Sequence, residues 1–281
     1  MYDRLEDEFG DVVSKSRRGQ ELTLGQLAER CDLGEAQISQ IESYEWTPED
    51  EVIVRLAAAL GLSAQRLSAS ARSTFFPAQP AGAEHGDLTV DMLVLGTSFL
   101  MNGYVVGCPV TGIGAVVDPG FQATRIMEIV ERRGWKVESV FLTHGHDDHI
   151  SALDEICEET GAAALISDGD ASMLGGRRRW IRGPLVPGQA VEVGSQQLQV
   201  RSTSGHTSGG VSLLHAELAF VGDALFAGSL GGTRNVGAFE EQRFAVAEHL
   251  LKLPASTTLY PGHGPATTAG EEAANNPFFN N

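Results

Sequence analysis

The stretch Lys136-Val137-Glu138-Ser139-Val140-Phe141-Leu142-Thr143-His144-Gly145-His146-Asp147-Asp148-His149 decides the fold of this chain. Its first half reads as a buried strand that runs into a loop. The loop carries three imidazoles beside Asp148 within six residues. Imidazole nitrogen and carboxylate oxygen are the ligands that suit zinc, iron and manganese. One short loop cannot aim all of these groups at one ion. His144 and His146 can point one way while Asp148 and His149 point another, so two adjacent ions are expected. Asp147 either orients a ligand imidazole from behind or is a solvated loop acid.

Moving outward, three later segments each set one ligand type beside small residues: Gly205-His206-Thr207, Gly222-Asp223-Ala224 and Gly262-His263-Gly264. Glycine there lets the backbone bend sharply close to a site. Five of the eight histidines fall in these segments and the loop. His85, His215 and His249 lack such surroundings and read as surface or satisfied core. Around the segments, Leu88, Val90, Met92 and Val94 alternate as in a half-buried strand. MNGYVVG, GAVVDPG, VEVGSQQLQVRS, VSLLHA, LAFVGD and TTLY add further strands. Helices are expected at 123–133, near 151–159 and near 239–251. Strands in groups with interposed helices make an α/β sandwich of sheets covered by helices.

The loop resembles the HxHxDH signature of the metallo-β-lactamase superfamily, and His206, Asp223 and His263 match its later ligand motifs in order. Asn102-Gly103-Tyr104, Asp118-Pro119-Gly120, GDALFAGSLGGT and PGHGPATT…NPFF extend the resemblance from Leu88 to the end of the sequence. They are similar to the glyoxalase II-like branch. The resemblance implies an αββα sandwich, preceded here by a small all-α unit. It implies two divalent metal ions, zinc first with iron or manganese as alternatives. His144, His146 and His206 would hold one ion, Asp148, His149 and His263 the other, and Asp223 would bridge. Asp148 would serve catalysis by a metal-bound hydroxide. The implied activity is hydrolysis of thioesters, as by a hydroxyacylglutathione hydrolase. Persulfide dioxygenation and lactone hydrolysis are alternatives on the same scaffold, because fold does not fix substrate. Many relatives have proline two residues after the histidine matching His206, where this chain has Ser208.

Arg177-Arg178-Arg179-Trp180-Ile181-Arg182 is the one dense basic run in an acidic chain. Arg177, Arg178 and Arg179 either grip an anionic small-molecule substrate at the pocket mouth or form a solvated turn with internal ion pairs.

Residues 1–67 read as helical throughout. Leu24, Leu27, Ala28, Leu33, Ile38 and Ile41 fall on the core positions of a helix-turn-helix, and the segment resembles the lambda-repressor/Cro-like family. That resemblance implies DNA as a partner, with Arg17 and Arg18 on the backbone and Gln37 and Gln40 reading bases from a homodimer. Two features oppose it. Residues 1–70 hold seven Lys/Arg against fourteen Asp/Glu, a formal charge of −7. Most DNA binding leans on phosphate neutralisation. The glycine that ends the recognition helix in that family is replaced by Tyr44. The alternatives are a transcriptional regulator whose metal-binding part senses a metabolite, or a docking module. Residues 68–86, rich in Ala, Ser and Pro, read as a linker, and 87–281 as the metal-binding unit. Phe75 and Phe76 in that linker either dock on a neighbour or stay partly exposed.

The whole chain has 281 residues and a formal charge of −17. That balance favours solubility and repels polyanions. Three scattered cysteines, no signal-peptide pattern and no membrane-length apolar stretch point to a cytoplasmic protein.

Overall fold

The computed structural model describes residues 2–79 and 84–280. Part of the expected linker, 80–83, lies outside the described residues. Five helices come first: α1 (Phe9–Gly19), α2 (Leu24–Cys31), α3 (Glu35–Glu42), α4 (Asp50–Leu60) and α5 (Ala64–Ala71). Their boundaries have local causes. Thr23 caps α2 by accepting from the Gln26 N–H at 3.1 Å. The left-handed Gly61 ends α4, where a residue without Cβ costs least. Helix α5 extends into the segment read as linker, because Leu67 is buried in the core and holds that turn in place.

Two sheets follow. The first contains β1 (Glu84–His85), β2 (Leu88–Gly96), β3 (Leu100–Cys108), β4 (Ile113–Val117), β5 (Lys136–Phe141), β6 (Ala163–Ile166) and β7 (Ile181–Pro184), side by side in that order. The second contains β8 (Ala190–Val193), β9 (Gln196–Ser202), β10 (Val211–Leu214), β11 (Leu218–Gly222), β12 (Thr258–Pro261) and β13 (Thr267–Thr268). Helices α6 (Ala123–Arg133), α7 (Asp147–Ile150) and α8 (Leu153–Thr160) belong with the first sheet, and α9 (Val236–His249) and α10 (Ala269–Asn275) with the second.

Strand periodicity sorts the side chains into layers. Tyr104, Val106, Ala115 and Val117 meet Leu213, Leu218, Phe220 and Tyr260 between the sheets. The alternate residues Val105 and Val116 turn outward to Ile126, Val130 and Ile156 of α6 and α8. On the far side, Ala219 and Val221 turn outward into a core that also holds Val12, Leu27, Ile41, Leu56 and Leu67. The N-terminal helices therefore share one apolar core with the outer face of the second sheet. Polar ties reinforce the seam. Ser63 N–H donates to the Pro277 carbonyl at 2.8 Å, and Arg66 donates to the carbonyls of Asn276 and Phe279.

Topology locates the site. Each sheet contains a parallel pair near its middle, β4 with β5 and β11 with β12. The C-terminal ends of parallel neighbours lie on one edge, so four loops emerge together. They carry Asp118, the His144–His149 run, Asp223 and His263. The Val211 N–H donates to the Thr143 carbonyl at 2.9 Å and ties the two sheets there.

Candidate metal centre

The seven residues singled out from the sequence meet at this edge. Side-chain atoms of His144, His146, His206 and Asp223 form one group that could hold a metal ion, and those of Asp148, His149 and His263 form another, each within 4.8 Å. Asp223 spans them. Its Oδ2 lies 3.3 Å from His206 Nε2 and 3.6 Å from His263 Nε2, and its Oδ1 lies 3.4 Å from His149 Nε2.

The donor set fits cations. Asp223 Oδ1 and His144 Nε2 are buried and have no hydrogen-bond partner among the described residues. Such orphans are costly unless something else satisfies them. His206 Nδ1 donates to the Gly232 carbonyl at 2.7 Å, which turns its Nε2 lone pair toward His146 Nδ1 at 2.9 Å. His263 Nδ1 likewise donates to the Leu100 carbonyl at 2.7 Å, and its Nε2 faces His149 Nε2 at 3.3 Å. At these distances each pair of nitrogens must share either a proton or a cation, since two bare lone pairs would repel. Charge is shared unevenly among the groups. Burial opposes charge on Asp223, yet His149, His144 and His263 hold its carboxyl well below the usual range. Burial holds His144 well below the usual histidine range. Burial also opposes charge on His149, but Asp223 and Asp118 draw it well above that range.

A supporting layer fixes these groups. Asp118, left-handed at φ 49, accepts from the Thr143 N–H at 2.8 Å and lies 3.2 Å from His149 Nδ1. Asp170 accepts from Gly145 and Gly209, and so binds the loops of His144 and His206 together. Asn102 donates to the carbonyls of Pro261 and Gly264 on either side of His263. Gly262 is obligatory: a Cβ there would sit 2.1 Å from Asp223 Oδ1. In the sequence Asp118 and Asn102 stand only as motif letters, and no motif marks Asp170.

Other expected site residues lie elsewhere. Arg177 and Arg179 pair with Asp154 at 3.7 and 2.9 Å, and Arg179 also with Glu158. Arg178 is exposed. Internal ion pairs thus engage two of the three arginines. The Asp147 side chain is 89% exposed and lies 3.6 Å from Arg177. Arg17 does not face outward as expected for a phosphate contact. Its Nε and Nη2 donate to the Glu42 carboxylate at 2.6 and 2.7 Å, and its Nη1 to the Leu22 carbonyl. A buried guanidinium satisfied in this way cannot reach a duplex. Gln37 spends its side-chain oxygen on the Gly34 N–H at 2.9 Å, capping α3. Arg18 and Gln40 are exposed. His85 is a satisfied core histidine, with Nε2 2.8 Å from the Tyr260 hydroxyl. Phe75 packs beside Gly228 while Phe76 stays exposed. No helix among the described residues is long and apolar enough to cross a membrane.

Comparison with known proteins agrees with this architecture. Residues 101–263 match the family model of the Metallo-beta-lactamase superfamily, and residues 14–67 that of the Helix-turn-helix family. A "probable metallo-hydrolase" of Bacillus subtilis (strain 168) is 33% identical over 182 residues, covering 59% of this chain and 86% of that protein. A hydroxyacylglutathione hydrolase of Brucella ovis is 33% identical over 163 residues, which is 57% of this chain. The match spans only 61% of the Brucella protein's length. A protein solved in a di-iron-bound form shares 29% identity at a TM-score of 0.52, covering 67% of this chain and 99% of that one.

Proposed function

The chain belongs to the metallo-beta-lactamase superfamily, and from that premise we propose that it is a metal-dependent hydrolase of thioesters. The observation that carries the reading is the convergence of seven donor groups around the unpartnered Asp223 Oδ1. His144, His146 and His206 would hold one divalent ion, Asp148, His149 and His263 a second, and Asp223 would bridge them. Ions held there would acidify water and polarise a carbonyl oxygen. The protein's own part is geometric. Asp118 and the Leu100 and Gly232 carbonyls fix which imidazole nitrogen points inward. Asp148, whose side chain is 22% exposed against 7% for Asp223, faces the open side and orients the attacking water. Water adds to the carbonyl carbon, the C–S bond breaks, and a carboxylic acid and a thiol leave. The kinship with a hydroxyacylglutathione hydrolase supports the thioester, and that with a di-iron protein keeps iron beside zinc as the metal. Metal analysis of the purified protein, with a panel of thioesters, lactones and persulfides, tests this reading. A protein that retains no divalent metal, or that is inert toward every thioester, would overturn it.

The helix-turn-helix match and the open outer face of α3 support a second reading, a regulator that binds DNA as a homodimer through Arg18 and Gln40.

A further inference from the structure

A cleft of about 630 Å³ opens near His263, lined in part by the arm before α1 together with Asp11 and Tyr44. The turn between β2 and β3 lines it as well. There Phe99 is 54% exposed, with its ring centroid 5.1 Å from that of His263. The arm that precedes α1 has its own ties to the site. The Tyr2 hydroxyl donates to Asn102 Oδ1 at 2.8 Å, the same Asn102 that braces the His263 loop. Glu6 lies directly on Gly264, where φ is +71 and a Cβ would come within 2.9 Å of Glu6 Cβ. Lys15 pairs with Asp7 and sits 4.6 Å over the Phe226 ring, which in turn packs against His263. The arm is thus seated on the metal loop.

Tyr44, just beyond α3, adds to the lining. It is 57% exposed and left-handed at φ +64, with its hydroxyl donating to Asp11 Oδ1 at 2.5 Å. A bulky side chain disfavours that backbone conformation. Exposed as it is, Tyr44 gains little from burial to offset the strain. Strain of this kind is a pointer to function. Two exposed aromatic rings, Tyr44 and Phe99, therefore line one cleft, and Phe99 carries it to His263 of the proposed reaction centre. The rim adds charge: among the described residues Asp3, Glu6, Glu8 and Asp11 face it against Arg4.

We propose that this cleft receives the non-reacting part of the substrate, that Tyr44 and Phe99 clasp an aromatic group there, and that the acidic rim favours a positively charged group over a negatively charged one. The proposal rests on the hydrolase reading and narrows its substrate class. It runs against the anionic substrate suggested by the arginine run, whose guanidinium groups Arg177 and Arg179 are taken up by Asp154 and Glu158.

The test uses the full chain with its metal. Aromatic thioesters differing only in one ring substituent (ammonium, none or carboxylate) are compared, with the ring on the acyl half in one set and on the thiol half in another. In one set KM should rise from cation to anion by about tenfold. Tyr44→Gly relieves the backbone, so its Tm should hold or rise while KM for that set climbs about fivefold and kcat stays within about twofold. Asp3→Asn with Glu8→Gln should flatten the charge preference. KM values independent of charge in both sets, or a Tyr44→Gly variant with unchanged KM, would overturn the proposal. Uncleavable thioether analogues read the cleft by calorimetry whether or not anything is hydrolysed. Cation binding tighter than anion supports the pocket, and equal binding refutes it. Absence of turnover on every thioester would refute only the hydrolase reading.

Discussion

The loop Thr143–His149 and the segment Gly34–Tyr44 are both short motifs, and the structure treats them in opposite ways. In the first, His144 and His149 point inward and meet partners delivered by three other loops. In the second, Glu35, Ala36, Ser39 and Gln40 point outward, and whatever they would meet is another molecule. A closed constellation supplies its own test, because every member must find the others. Half of an interface does not, and its charge then carries the argument. On α3 and in the segments next to it in sequence Glu29, Asp32, Glu35 and Glu45 are exposed, with Arg18 and Arg30 as exposed cations.

The largest expected effect breaks the constellation at its centre. Asp223→Ala should abolish metal retention and lower hydrolysis by about a thousandfold or more. Near-normal metal content by elemental analysis would mean that Asp223 does not join the two groups. Next comes the supporting layer. Asp118→Asn keeps the shape but weakens the hold on His149, so metal affinity or kcat/KM should drop about 10- to 100-fold. An unchanged value would assign Asp118 to loop geometry alone.

A third experiment probes the seam between the two regions. Burial pushes the Glu272 carboxyl up to about 7, although Asn276, Thr267 and the Gly228 N–H all donate to it. The folded state therefore holds this proton more tightly than the unfolded chain does. Its contribution to stability is complete below the ordinary value of 4.5 and is lost as pH rises through about 7. Glu272→Gln keeps an oxygen for Gly228 and Asn276, and the Thr267 hydroxyl can turn to accept the amide. Tm of the variant should fall less between pH 5 and pH 8 than that of the parent. Parallel Tm curves would refute the assignment.

The smallest effect belongs to the outward face. An isolated unit with a formal charge of −7 over residues 1–70 has few phosphate contacts to offer. Any DNA binding should then need two copies, should weaken steeply with salt, and should lose a few-fold on Gln40→Ala. No retention of genomic fragments at about 50 mM salt would leave the segment as a wall of the cleft and nothing more.

Much of the centre was legible in the sequence because its ligands are polar residues set among glycines at strand ends, where neither core packing nor surface solvation accounts for them. The layered fold was legible for a similar reason: residues such as Val105 and Val106 alternate between two cores. Partners far apart in the chain were not legible. Arg17 looked like a phosphate ligand because Glu42, which neutralises it, is 25 residues away. Asp170 carries no motif at all, and its role appears only when Gly145 and Gly209 fold onto it. The arm Tyr2–Glu8 has no periodicity, so nothing in its letters indicates that it lies on Gly264.

The core shared by the N-terminal helices and the second sheet has a consequence for how the molecule comes apart. A chain cut before β1 would strip α1 from the Phe239 ring of α9, which lies against Gly19, and would leave the Pro277 and Phe279 carbonyls without Ser63 and Arg66; newly bared apolar surface of this kind invites aggregation. Heat or denaturant should melt the helices and the sandwich in one cooperative step. Whatever loosens one half, a ligand or a proton, is then felt by the other as a change in its own melting.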